Sequence, residues 1–145
     1  GFTQGDFWPT GETVDGRARW CVTTSFTYSD GTFTVTVPDG FVFDGPSVPF
    51  WSAPFLDIGL LFLPAALHDF LYDATGLSKA ECDKRFYQAM RIVGVGNPQA
   101  KIVYWAVKWF GWRGFRNARS QMAWDAGLEP ATFSPLWPRP DALTN

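Results

Sequence analysis

The hydrophobic period of this chain changes once, and that change restricts its fold more than any other feature. Upstream of about residue 50 apolar and polar side chains alternate, whereas from Pro64 onward they recur at helical spacing. In RARWCVTTSFTYSDGTFTVTVPDGFVFDG, residues 17–45, β-branched and aromatic residues alternate and are broken at Asp30-Gly31 and at Pro38-Asp39-Gly40. That pattern predicts a hairpin followed by a third short strand. Thr32, Thr34 and Thr36 share one face and Phe33, Val35 and Val37 the other, so one side is wet and one buried. Strands followed by helices make an α+β arrangement: a small antiparallel β-sheet over 17–50 packed against a three-helix C-terminal half.

The helix boundaries carry their own chemistry. Pro64 suits a first helical position, residues 65–74 run without a breaker, and Gly76 stands where a left-handed residue would end the helix. Ser78-Lys79-Ala80-Glu81 reads as a capping box that opens a second helix, which ends at Gly94. Asn97-Pro98, cap and first position, opens a third running through KIVYWAVKWF to Gly111. That helix is apolar nearly all round except at Lys101, Tyr104 and Lys108, which predicts that it is mostly buried. GWRGFRNARSQMAW carries a further helical pattern within the helical part, 64–125. Residues 1–16 are punctuated by Gly and Pro without a period and read as an N-terminal arm; residues 126–145, with four prolines, read as an extended tail. The whole reads as one domain of 145 residues, long enough to bury roughly two-thirds of its unfolded surface.

Composition narrows the classes of function. At 46% hydrophobic and 18% charged the chain lies outside the disordered class, and a net charge of −2 gives no global attraction to nucleic acid or to an anionic membrane, so any basic surface is local. The longest apolar run, Ile58 to Leu67, is interrupted by Pro64 and falls short of the roughly 20 residues a bilayer span requires. No transmembrane segment and no leader pattern is expected, and the chain reads as soluble. Cys21 and Cys82 could pair, but isolated cysteines more often serve as small buried hydrophobes.

The one histidine, His68, stands beside a carboxylate on the first helix. In the second helix Ala80, Asp83, Phe86, Tyr87, Met90 and Val93 form a stripe with one acid in it, so Asp83 faces inward. A connection of about four residues makes the two helices antiparallel neighbours and brings His68 and Asp83 within about one turn of the same level. A buried carboxylate needs a partner, and His68 is the one the geometry offers. Asp69 is one step round the helix and Asp73 one turn beyond it. The loop from Asp39 to Ser47 is Gly-rich and supplies Asp44, a hard oxygen ligand that suits Ca²⁺ when completed by Asp69. One histidine and two distant cysteines leave no zinc site of the usual composition. Such a His-Asp pair also occurs as a structural pair that fixes helix register, and Asp-Gly is by itself an ordinary turn.

Two resemblances follow from these residues. VPDGFVFDGPSVP, ALHDFLY, AECDKRFYQAM, the Gly-Val turn and IVYWAVKWFG, in that order over roughly 35–112, resemble the phage and bacterial family labelled domain of unknown function 1353. That resemblance implies a phage or prophage origin. Locally, His68-Asp69-x-x-Tyr72 followed by Asp83-x-x-Phe86 is similar to the paired-helix core of phospholipase A2, above all the small prokaryotic type. It implies that His68 activates water, Asp69 binds Ca²⁺, Asp83 orients the histidine and Tyr72 supports the network. The glycine-rich calcium loop and the disulfide framework of that family are not reproduced.

WFGWRGFRNARSQMAW interleaves Trp109, Trp112, Phe115 and Trp124 with Arg113, Arg116 and Arg119, a surface suited to a partner or, equally, a core helix with snorkelling arginines. Trp8, Trp112, Arg113, Arg116 and Trp137 are the expected partner contacts, with a protein partner favoured over nucleic acid. Two functions stand at this point. One is a virion component (tail, baseplate or head-completion protein) contacting other virion proteins or copies of itself, in a virion or the host cytoplasm. The other is a Ca²⁺-dependent lipid esterase, working at a membrane surface, with His68 as general base.

Overall fold

A computed structural model describes residues 1–14, 17–45 and 57–110. The tail, the segment from Gly111 onward with Trp112, Arg113, Arg116 and Trp137, and the loop residues Pro46 and Ser47 lie outside the described residues. Strands β1 (Asp6–Val14), β2 (Arg17–Thr24), β3 (Phe26–Ser29), β4 (Thr34–Val37) and β5 (Val42–Asp44) precede a 3-10 turn at Ile58–Leu61 and helices α1 (Phe62–Ala74), α2 (Lys79–Ile92) and α3 (Asn97–Phe110). The fold is α+β, with two small antiparallel sheets where a single one was expected: β1-β2-β5 and the hairpin β3-β4.

The hairpin forms as its alternation predicts. Phe26, Tyr28, Val35 and Val37 are fully buried, and the threonines take the opposite face, where Thr27 and Thr36 hydroxyls lie 2.9 Å apart across the strands. Its turn is held by Asp30, whose Oδ1 accepts from the backbone N–H of Thr32 and Phe33, both at 3.0 Å, with Gly31 at φ 89°. Arg85 of α2 clamps this turn, with Nη1 2.8 Å from Asp30 Oδ2 and its guanidinium 3.9 Å from the Phe33 ring centre.

The N-terminal arm is a correction. Asp6–Val14 is a nine-residue edge strand paired to β2, and Phe2 bridges to Tyr28. Phe7 enters the core against Phe26, Phe43 and Phe62 at 5.6–6.0 Å between ring centres. Pro9 is tolerated because β1 is an edge, and the register shift between Pro9 and Thr13, with Gly11 at φ 83°, is the bulge that hides the strand's period.

The helices begin and end for identifiable reasons. α1 starts two residues before Pro64, which sits in the first turn where its missing N–H has no acceptor to lose. It ends at Thr75, not at Gly76: Thr75 is extended, and its hydroxyl donates to Leu71 O at 2.6 Å. Ser78 Oγ accepts from Glu81 N–H, opening α2 as the capping motif predicts. At its other end Gly94 adopts φ 102°, Gly94 N–H reaches Arg91 O and Val95 N–H reaches Met90 O, a Schellman arrangement with buried Val95. α1 is buried on most sides, between β4 and β5 on one hand and α2 on the other. α3 corrects the expectation that it is mostly buried: Ala100 and Val103 pack against Leu61, Phe86 and Met90, while Trp105 and Trp109 are exposed. Cys21 and Cys82 are both free thiols.

Candidate functional site

The connection 75–78 turns α1 back onto α2, and the facing sides of the two helices carry an enclosed polar cluster. The inward face of α2 is Lys79, Cys82, Asp83, Phe86, Ala89 and Met90; Ala80, expected on it, is exposed, because the buried face is rotated toward Cys82 and Ala89. Asp83, 2% exposed, is the hub. Its Oδ1 accepts from His68 Nε2 at 2.7 Å and from the Tyr72 hydroxyl at 2.5 Å, and its Oδ2 accepts from Lys79 Nζ at 2.5 Å. His68 and Asp83 are thus brought together as their spacing predicts, and Tyr72 joins them as the resemblance implies: His68 and Tyr72 lie one turn apart on α1, and Phe86 lies flat on the imidazole at 4.5 Å.

Lys79 is the member that sequence reasoning missed. It is 5% exposed, and its ammonium also donates to Val107 O at 2.8 Å and Lys108 O at 3.3 Å, so it joins the dyad to the C-terminal turn of α3. Two helix carbonyls and a buried carboxylate are together what a buried ammonium needs. The signal was present as the i, i+4 spacing of Lys79 and Asp83.

The charge state follows from this geometry. Burial would raise the Asp83 carboxyl, but hydrogen bonds from His68, Lys79 and Tyr72 outweigh it and hold the group below the ordinary aspartate value. Burial lowers His68, against the pull of Asp83 and with the help of the Lys79 cation, so the imidazole is neutral. Burial and the Asp83 charge push the Tyr72 hydroxyl far up, and it stays a donor. A carboxylate can only accept, so the proton of the neutral ring sits on Nε2 and the basic nitrogen is Nδ1. The lone pair of this ring, 6% exposed, therefore lies on Nδ1. Lys79 partly neutralises Asp83, so an imidazolium here gains less than it would from an unshared carboxylate.

The two carboxylates expected to hold calcium lie on different elements, Asp44 on β5 and Asp69 on α1. Asp44 is the cross-strand partner of Arg19, with Oδ1 3.7 Å from Nη1. Its neighbour Phe43 points into the core, so strand alternation turns Asp44 to the opposite face. Asp69 is half-buried, close enough for its charge to act on Tyr72. Among the described residues no group of three or more His, Cys, Asp or Glu converges as a cation site. Calcium therefore finds no fit among the described residues. A separate apolar groove of about 420 Å³, lined by Phe7, Trp20, Leu60, Phe62 and Leu63 among others, does not include His68. Of the expected partner contacts, Trp8 lies at the surface, 70% exposed. No described helix is long and apolar enough to cross a membrane.

Comparison with known proteins places this cluster inside a recognised sequence unit. The family described as "Protein of unknown function (DUF1353)" matches residues 20–107, a span that contains His68, Tyr72, Lys79 and Asp83. The chain is 31% identical over 111 residues to "Uncharacterized protein y4jT" of Sinorhizobium fredii (strain NBRC 101917 / NGR234), an alignment covering 71% of this chain and 32% of the relative. The chain thus spans about a third of the length of the curated relative it matches. No solved structure matches it.

Proposed function

Since the chain belongs to the DUF1353 family, whose description states no activity, its chemistry has to be argued from its own side chains, and we propose that it is a lipid ester hydrolase in which His68 is the general base. One observation carries the reading: Asp83 Oδ1 accepts a hydrogen bond from the Nε2–H of a neutral His68 at 2.7 Å, which leaves Nδ1 as the base. The similarity of His68, Tyr72 and Asp83 to the phospholipase A2 helix pair supports the substrate class. In the reaction Nδ1 takes a proton from water as the water oxygen attacks the ester carbonyl, Asp83 steadies the imidazolium, and the proton then passes to the departing alcohol oxygen. Tyr72 and Lys79 hold the Asp83 carboxylate and touch no substrate. The test is release of fatty acid from micellar phospholipid, with and without added calcium. The native chain is expected to release it, and His68→Gln is expected to abolish release while the far-ultraviolet circular dichroism is unchanged.

A second reading, a virion component whose polar cluster only fixes helix register, is favoured by a different observation. Trp8, Cys21 and Val42 are lined up across β1, β2 and β5 by strand register, and Trp8 and Val42 are exposed. An apolar row on a sheet surface suits a protein neighbour. No fatty-acid release, together with co-purification in particles that Trp8→Ser disrupts, would select this reading.

A further inference from the structure

The outer face of α3 is a stripe of two indoles and two ammonium groups. Lys101, Trp105, Lys108 and Trp109 recur at i, i+4, i+7 and i+8, all exposed, while Ala100 and Val103 on the opposite side are buried against Leu61, Phe86 and Met90. Trp105 is 49% and Trp109 65% exposed, and the two rings lie nearly parallel with centres 6.3 Å apart. Lys108 Nζ stands 4.9 Å over Trp105 and 5.9 Å from the centre of Tyr104. From Lys101 to Trp109 the stripe runs about 12 Å along the helix.

Two stacked indoles left in water forfeit apolar burial on one helix face, so the face suits a partner that takes rings and cations together. The charge pattern identifies its sign. α3 contains no acidic residue, and from Lys101 to Ser120 the sequence carries Lys101, Lys108, Arg113, Arg116 and Arg119 with no Asp or Glu, in a chain of net charge −2. The complement is therefore anionic. Its shape follows from the helix: the stripe is a convex ridge, which fits a flat fluid surface better than a strand of bases that needs a groove. Tryptophan at headgroup depth with lysines beside it is the interfacial pattern of a helix lying on a bilayer rather than crossing it.

We propose that the Lys101/Trp105/Lys108/Trp109 face of α3 binds the surface of an anionic lipid bilayer. This surface goes beyond the ester-cleavage reading and does not depend on it, so binding is measured both with the native chain and with His68→Gln. Sedimentation with phosphatidylglycerol-containing vesicles should carry both proteins down equally, and pure phosphatidylcholine vesicles should carry far less. Lys101→Ala/Lys108→Ala should weaken anionic binding by roughly thirtyfold, two lysines' worth of surface attraction, and added salt should mimic that loss. Trp105→Ser/Trp109→Ser should weaken binding to vesicles of either composition. All four side chains lie on the exposed face, and circular dichroism checks the variants; should a double variant unfold, Lys101→Glu and Trp109→Ser taken singly give the same comparison. Equal binding to both vesicle types, indifference to these substitutions, or tighter binding to a single-stranded oligonucleotide than to vesicles would overturn the proposal.

Discussion

Lys79 lies one helical turn before Asp83 and places its ammonium 2.5 Å from Oδ2, while the opposite oxygen of the same carboxylate takes His68 and Tyr72. Three donors on one buried acid mean that the acid, not the histidine, organises the helical hairpin. Asp83→Ala leaves a buried ammonium and a buried imidazole without their acceptor, and the loss expected is about 3–5 kcal/mol. Tyr72→Phe removes one hydroxyl while keeping the ring that lies 4.3 Å from His68, and about 1–2 kcal/mol is expected. Urea denaturation at neutral pH measures both; equal losses would deny Asp83 its central place.

Acid should unfold the protein in two stages. His68 is lowered in the folded state by burial, so its contribution to stability is full above the unfolded value near 6.5 and is lost as the pH falls through the lower folded value. Asp83 is also lowered, its hydrogen bonds outweighing burial, so its contribution is full above the unfolded value near 3.8 and is lost as the pH falls through the folded one. Denaturant midpoints across acidic pH should therefore fall first below about 6.5 and again below about 4. His68→Gln should remove the first decline and keep the second.

Lys79→Met tests the missed member of the cluster. It strips the cation that opposes protonation of the ring and releases the carbonyls of Val107 and Lys108. The imidazole resonance, unique because the chain has 1 histidine, should titrate at higher pH than in the native chain. An unmoved titration would confine Lys79 to tying α3 down.

The first strand separates two aromatic neighbours. Phe7→Ala is expected to cost about 3 kcal/mol, since the ring sits among Phe26, Phe43 and Phe62. Trp8→Ala, at a residue 70% exposed, should change stability by less than about 0.5 kcal/mol. Deleting residues 1–14 should unfold the chain, because it removes β1 and the Phe2 bridge as well as Phe7. Thermal melts of the three variants decide it.

What could be read in advance follows the range of the forces involved. The meeting of His68 with Asp83 was legible because a short connection and two helical periods fix it locally. The Ser78 cap and the Gly94 terminus were legible for the same reason. β1 was not, because its Pro9 and Gly11 carry the marks of a loop and only pairing with β2 makes them an edge strand. The place of Asp44 was hidden likewise: its direction depends on which strand Arg19 pairs with, a choice made far along the chain. Lys79 reads as a solvated first-turn lysine until α3 brings its carbonyls to it.

The most direct test of the account is the ¹⁵N spectrum of His68 at neutral pH, read from an imidazole that has no other histidine to confuse it. The geometry predicts a neutral ring protonated on Nε2 and bonded to Asp83, with an unprotonated Nδ1. A ring carrying its proton on Nδ1, or a charged imidazolium at that pH, would contradict the assignment of His68 as the base.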